Sequence, residues 1–210
     1  KLRADSVVTR ERDSLAKLPF SRKRDEADRD ATDLFMLPVA ACEAHTAACV
    51  PTRIEYFGDE AGATWSPDSK QLAFSGRRGR YQSQRLYVLA AGTTKPVDVL
   101  GSWKYEPGNF TWWGDGTIRM ETDVGGSSGL YAVNPATKEI RTILGGRRRV
   151  SSIQYDSART TLTYISTDHT HPTELYTADI EGRNERKLTT FNDALNKEVA
   201  WSEVEFFTYR

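Results

Sequence analysis

The sequence predicts an all-β fold: a β-propeller fragment of three complete four-stranded blades plus part of a fourth. Two observations predict it. The first is a strand–turn–strand motif, Trp65-Ser66-Pro67-Asp68-Ser69-Lys70-Gln71-Leu72-Ala73-Phe74. Pro67 has its φ preset for the second position of a tight turn, and Asp68 and Ser69 can bond the nearby backbone. Leu72 and Phe74 then alternate with Gln71 and Ala73, the period of two of a strand with a buried face. The second observation is recurrence. Thr111–Ile118 repeats the motif with Asp115-Gly116 as its turn, and Ile153–Leu162 is a worn copy in which Tyr155 replaces the Trp. The anchors Trp65, Trp112 and Tyr155 stand 47 and 43 residues apart. Each turn is followed by two more strand-like runs, and four short strands in a period of about 45 residues describe a propeller blade. A β-sandwich also has many short strands, but no reason to repeat one anchor and turn at constant spacing.

In chain order, Ser6–Arg12 reads as a strand and Asp13–Thr32 as a long charged surface loop. Asp33–Ala40 and Thr52–Phe57 read as further strands, so residues 1–57 form the later part of one blade. Blades then span 58–100, 101–144 and 145–190. Their later strands fall at Gln84–Ala91 and Lys95–Leu100, Gly129–Pro135 and Glu139–Leu144, and Thr173–Ile180 and Glu185–Thr190. Residues 191–210 break the pattern and read as an exit segment, with a short helical turn at Asp193–Val199 and a strand at Val204–Tyr209. Trp65, Trp112 and Tyr155 are expected to pack between blades. In such a meander, Arg77–Gln84, Val124–Gly129 and Asp168–Pro172 share one face with Gly101–Asn109 and Gly145–Arg149. That face carries the richer loops and is the expected working surface.

Composition sets bounds. A chain of 210 residues, 38 % hydrophobic, can bury a substantial core. Lys+Arg and Asp+Glu both total 29, which argues against nucleic acid or an anionic membrane as the main partner. No apolar run is long enough to span a membrane. The chain opens on Lys1 without an initiator Met or a leader, so a processed, engineered or missing N-terminus is expected. Cys42 and Cys49 bracket a polar loop where cross-strand neighbours can reach disulfide distance. A disulfide would imply an oxidising compartment, periplasmic or extracellular. Free thiols in a cytoplasmic protein are the alternative.

Four stretches carry a resemblance: Asp33–Ala40, the Trp65–Phe74 motif, His171-Pro172-Thr173-Glu174-Leu175-Tyr176 and Leu188–Leu195. With them the chain resembles the propeller portion of prolyl oligopeptidase-family serine peptidases, particularly bacterial dipeptidyl-peptidase and acylaminoacyl-peptidase types. The resemblance covers most of the chain from about Val7. It implies an α/β-hydrolase peptidase domain beginning just after Arg210, with the propeller gating access of short peptides to it. A propeller of this family has about seven blades, so three and a part leave open sheet edges, to be closed by further sequence or by self-association.

No catalytic residue is expected within the chain. Gly125-Gly126-Ser127-Ser128-Gly129 matches the G-x-S-x-G nucleophile elbow, but an elbow needs a strand-to-helix turn, and here two strands flank it. It reads as a hairpin turn. His169, His171 and His45 lack a supporting carboxylate cluster, so neither a metal site nor a cofactor is expected. Trp103, Tyr105 and Glu106 are the candidate peptide-binding residues, because a carboxylate beside aromatic rings can hold an amino terminus. Their alternative role is packing between blades. A stand-alone propeller that binds a protein or small ligand is the alternative to a peptidase propeller.

Overall fold

The structure is a computed structural model that describes residues 32–56, 58–79, 81–202, 204, 205 and 207. The expected strand at Ser6–Arg12 and nearly all of the charged loop lie outside the described residues. Among these residues the chain is built of strands. After a short N-terminal unit come three four-stranded antiparallel meanders. The first is β3 (Asp59–Trp65), β4 (Gln71–Arg77), β5 (Arg85–Ala90) and β6 (Val97–Asp98). The second is β7 (Asn109–Trp112), β8 (Ile118–Val124), β9 (Ser127–Val133) and β10 (Ile140–Leu144). The third is β11 (Arg149–Tyr155), β12 (Thr161–Thr167), β13 (Glu174–Asp179) and β14 (Arg186–Lys187). A parallel bridge from Arg149 to Ser128 links the second and third.

The first turn of each meander is closed by its aspartate. Asp68 Oδ1 accepts the Lys70 N–H at 3.1 Å and the Ser66 hydroxyl at 2.7 Å. Asp115 Oδ1 accepts the Thr117 N–H at 2.9 Å, and Asp156 Oδ1 those of Thr160 and Thr161 at 2.7 and 2.8 Å. The shared Asp thus has a shared task, turning the backbone between the first two strands.

Alternation then decides the packing. Along β4 and β5, Ala73, Leu86 and Val88 point to one side and Leu72, Phe74, Tyr87 and Leu89 to the other. The first set meets Trp112, Ile118, Met120, Tyr131 and Val133 of the second meander. The opposite face of β9, Leu130 and Ala132, meets Val150, Ile153, Leu162, Tyr164 and Ala178 of the third. The first two sheets are therefore apolar on both faces and need a neighbour on each.

The remaining face of the first meander is covered by the N-terminal unit. There the expected long strands are short: β1 is Phe35–Met36 and β2 is Thr52–Arg53, joined by α1 (Val39–Glu43) and a loop. Pro38 causes the break. It has no N–H for a ladder, and its carbonyl accepts the Cys42 N–H at 3.1 Å to start α1. Cys42 and Cys49 are disulfide-bonded, Cα–Cα 4.5 Å, and close this loop. Leu34, Met36, Ile54 and Tyr56 lie on Phe74, Tyr87 and Leu89. The Tyr56 ring rests against Gly76, where a Cβ would come within 2.8 Å of it.

One expectation about the anchors is corrected here. Trp112 is 4 % exposed, and its Nε1 donates to the Thr64 carbonyl at 3.1 Å. Tyr155 packs on Trp113, ring centres 4.8 Å apart. Trp65 is instead 48 % exposed. Trp112 and Tyr155 each lean on a whole preceding sheet, whereas Trp65 meets only the thin N-terminal unit, across a groove lined by Leu34, Met36 and Pro38. At the other end, the expected helix is present as α2 (Asp193–Glu198). The described residues of Val204–Tyr209 form no strand.

The N-terminal unit is held by a buried carboxyl. Glu60 on β3 is 0 % exposed; Oε2 accepts the Leu34 N–H at 3.0 Å, while Oε1 is buried without a partner. Burial pushes this carboxyl up to about 7; the Leu34 N–H opposes the shift and nearby Asp33 adds to it. The folded state thus holds the proton more tightly than the unfolded chain, where the group titrates near 4.5. The stabilising contribution is full below about 4.5 and is lost as pH rises through about 7. Hydrogen exchange, corrected for its intrinsic pH dependence, is expected to show Leu34 and Ile54 amides better protected at about pH 5.5 than at about pH 8. Glu60→Gln is expected to flatten that difference. Equal protection in the unsubstituted chain at both pH values would contradict this account.

Candidate functional site

The loop-rich end of the sheets is assembled as the strand directions require. The Gln84 N–H, before β5, donates to Glu106 Oε1 at 3.0 Å. The Tyr105 hydroxyl lies 3.9 Å from where a Cβ of Gly125 would stand, in the β8–β9 turn. The Ser128 N–H donates to the Arg148 carbonyl at 3.1 Å, drawing in the loop before β11.

The structure brings Trp103 and Tyr105 together, ring centres 5.3 Å apart and edge to face. Trp103 also meets Tyr131 at 5.2 Å and packs on the core between the first two meanders. Arg85 pins that loop by donating to the Trp103 and Gly101 carbonyls while pairing with Asp98. Glu106 is exposed, with one oxygen committed to Gln84. The aromatic pair thus anchors the loop, and Glu106 fixes its neighbour.

Beside these residues opens a cleft of about 680 Å³, lined by Ser75, Gln84, Asn109, Phe110, Glu121, Thr122, Asp123, Ser128, Arg149 and Ser151 among others. Register places its walls. Asn109 is paired with Glu121 and Phe110 with Met120, and directly opposed residues share a face. Phe110 packs towards the first meander, so Asn109 and Glu121 face the third. The cleft therefore reaches both sides of the second sheet at its short first strand.

The charges on this inner face are unequal in their circumstances. Arg119, 1 % exposed, donates to the Ile180 carbonyl and to Glu181, each at 2.8 Å, and lies over the Trp113 ring at 4.9 Å. Glu181 also takes Arg141. Glu121, two residues on, has no hydrogen bond or ion pair among the described residues, and burial pushes its carboxyl up. Thr122 is 3 % exposed and its hydroxyl is buried without a partner. Arg149 falls in the Gly145–Arg149 loop expected at the working surface, whereas Glu121, Thr122 and Asp123 were not singled out by the sequence reading. Their signal was present in Ile118-Arg119-Met120-Glu121-Thr122-Asp123: the apolar parity faces one sheet and the charged parity the other.

The remaining polar motifs are local structure. Gly125 and Gly126, φ +58° and +84°, form a two-residue turn, and Val124 pairs directly with Ser127 at the start of β9. Ser127 thus stands in a hairpin with no helix after it. Asp168 accepts the Thr170 N–H and the His171 N–H, each at 2.8 Å, and lies 2.9 Å from His171 Nδ1. His45 Nδ1 lies 3.0–3.1 Å from the Cys42 and Glu43 carbonyls. Among the described residues no group of three or more His, Cys, Asp or Glu is placed to hold a metal. No described helix is long and apolar enough to cross a membrane.

Solved structures share this architecture. The β-propeller domain of the Trilobed protease from Pyrococcus furiosus superposes with a TM-score of 0.50 and 22 % identity. The match covers 69 % of this chain and 44 % of that one. Pyrococcus horikoshii acylaminoacyl peptidase gives 0.52 and 20 %, over 72 % of this chain and 23 % of that one. A puromycin hydrolase gives 0.50 and 16 %, over 62 % and 22 %. At such identities the likeness establishes the fold. The chain has a β-propeller architecture. It spans less than half the length of each of these structures. No protein-family model matches the chain, and no curated protein matches it.

Proposed function

We propose that this chain is the non-catalytic propeller portion of a serine peptidase, which gates and sorts short peptides on their way to an α/β-hydrolase domain. The observation that carries the reading is the structural likeness to the β-propeller domain of a protease. Blades at 58–100, 101–144 and 145–190 are part of the same proposal, each holding one observed meander. The cleft at the loop-rich end supplies a polar passage wall of peptide-sized dimensions.

The exit segment fits such a junction. Glu174 is 3 % exposed and accepts the Thr189 hydroxyl and the N–H groups of Phe191 and Asn192. One buried carboxylate thereby fixes the direction in which the chain leaves the third sheet. Beyond it Phe191 is 83 % exposed and Trp201 39 %, apolar surface of the kind a following domain would cover.

Acyl transfer by serine needs a base, an oxyanion hole and an exposed nucleophile held together, and Ser127 stands in a hairpin turn followed by a strand, with no helix N-terminus to stabilise an oxyanion. The purified 210-residue chain is therefore expected to leave a chromogenic dipeptide substrate intact. The coding sequence downstream of Arg210 is expected to encode a Ser elbow, then Asp, then His. Peptidase activity of the chain that is lost in Ser127→Ala would overturn the reading. So would a downstream sequence with no hydrolase triad, which would favour a stand-alone binding propeller.

We further propose an oxidising compartment, periplasmic or extracellular, on the Cys42–Cys49 bond. Mass spectrometry of protein taken from its native compartment, without reductant, is expected to show the two cysteine peptides crosslinked. Two alkylatable thiols would place it in a reducing one.

A further inference from the structure

The N-terminal unit is built as the outer half of a blade. Asp33-Leu34-Phe35-Met36-Leu37-Pro38 matches Arg85-Leu86-Tyr87-Val88-Leu89-Ala90 of β5 position by position. The ladders agree, since Phe35 pairs with Arg53 on β2 as Tyr87 pairs with Asp98 on β6. An ion pair joins each couple of strands with its charges exchanged, Asp33 to Arg53 and Arg85 to Asp98. The way in is also shared. The Thr32 N–H donates to Asp59 Oδ1 and the Gln84 N–H to Glu106 Oε1, each at 3.0 Å and each to a carboxylate at the entry of the following meander. One thing differs. β5 lies beside β4, whereas β1 belongs to a sheet of two strands and has an open edge among the described residues. A groove of about 560 Å³ runs there, with Ala63, Trp65 and Leu72 of the first meander on one side and Leu34 and Met36 on the other. The Ile54 N–H donates to the Leu34 carbonyl, so by the alternation of an antiparallel ladder the Phe35 and Leu37 N–H groups point to the open edge.

The sequence holds a strand for that edge. Lys17-Leu18-Pro19-Phe20-Ser21-Arg22-Lys23-Arg24 repeats Gln71-Leu72-Ala73-Phe74-Ser75-Gly76-Arg77-Arg78, the body of β4. Asp13 stands five residues before Leu18. In the three meanders the turn aspartate stands four, three and six residues before Leu72, Ile118 and Leu162, the partners of Trp65, Trp112 and Tyr155, so five fits the series. Pro19 takes the place of Ala73, opposite the register break of β3 between Ala61 and Thr64, and a bulge is one place where a sheet accepts proline. Residues 1–31 lie outside the described ones, and the chain they belong to enters at Thr32. Thr32 is bonded to Asp59 and accepts the Glu60 N–H at 3.0 Å, at the end of β3 where Asp59 pairs with Arg77 and the β4–β5 loop departs.

We infer that the groove is the docking site of residues 17–22 of this chain, which add to the open edge of β1 as β4 lies beside β5 and make the N-terminal unit a fourth blade. Ser6–Arg12 is then the strand before them, and only residues 23–32 of the charged stretch are loop. That loop corresponds to Arg77–Gln84 and joins the loop-rich face. By parity Pro19 faces the first meander, as Ala73 faces the second, and Leu18 and Phe20 join Phe35 and Leu37 on the far side. Phe35 and Leu37 are 56 % and 51 % exposed, so that side is open. With an open side and no ladder donor at Pro19, the docked strand is held weakly, by about tenfold in its equilibrium or about 1.4 kcal/mol. A variant loses no more than the docking itself, so this also caps what Trp65 gains from the strand. The inference is independent of the peptidase reading.

Hydrogen exchange on the 210-residue chain reads the docking without any substitution. The Phe35 and Leu37 amides are expected to exchange about tenfold more slowly than in unstructured peptide. Exchange of both at the unstructured rate would overturn the inference. A crosslink then identifies the occupant. Phe74 lies opposite Tyr87, so Phe20→Cys combined with Phe35→Cys sets two thiols within disulfide reach. Mild oxidation is expected to join their peptides within one molecule. Ser21→Cys combined with Phe35→Cys is one residue out of register, which turns the side chain to the other face, and is expected to crosslink at under about a tenth of that yield. Slow exchange without the Phe20–Phe35 crosslink, equal yields from both pairs, or a crosslink between two molecules would overturn the inference. Should the cysteine variants not fold, exchange in the unsubstituted chain still decides, and protection that rises with protein concentration would assign the edge to a second copy and overturn it as well.

Discussion

The structure depends on a constraint set by the strands themselves. In β4, β5 and β9 both parities of the alternation are apolar, so neither face of a sheet can be left to water. Leu86 and Val88 on one side of β5, and Tyr87 and Leu89 on the other, are each under 10 % exposed. Burying a side chain of this size contributes roughly 1.5–3 kcal/mol, so a sheet with two such faces needs a neighbour on each. Sheets stacked face to face by this rule, each entered through the same Asp-closed turn, give the propeller arrangement. The third meander differs on its outward side. Its outward residues are Thr161, Thr163, Thr167 and Thr177 with Ile165 and Leu175, a more polar face that is half-exposed.

Polar groups between the sheets follow from the same geometry. A charged residue on a sandwiched strand must find its partner across the gap, and Arg119 does so with Glu181. Within the third meander, Arg148 holds Glu185 with two hydrogen bonds of 2.8 and 2.6 Å, and the Tyr164 hydroxyl donates to the same carboxylate. Such buried pairs add little net stability over apolar packing, but removing one partner is costly. The Arg119–Glu181 pair ties the second sheet to the third.

The fold was legible because its signal is local and repeated: turn chemistry at Asp68, Asp115 and Asp156, then period-two alternation. The N-terminal unit was misjudged because Leu34, Phe35, Met36 and Leu37 give an apolar run whose length says strand, while Pro38 and the Cys42–Cys49 closure turn the chain after two paired residues. Trp65 was misjudged for a different reason. A repeat shows that positions are equivalent within their own sheets, not that their neighbours are. The candidate site was less legible than the fold. Trp103 and Tyr105 draw attention as exposed-loop aromatics, but one loop folds back onto the core. Glu121 looks like any surface charge until the register places it between two sheets.

The central claim is that a sheet's inward residues are worth what the adjacent sheet makes of them. Trp65 and Trp112 occupy the same position in successive meanders and differ in what lies against them, so their alanine variants isolate that term. Urea unfolding is expected to show Trp112→Ala costing about 3–5 kcal/mol, the range for a core aromatic, and Trp65→Ala costing less than about half as much. Equal costs, or a larger cost at Trp65, would contradict the account.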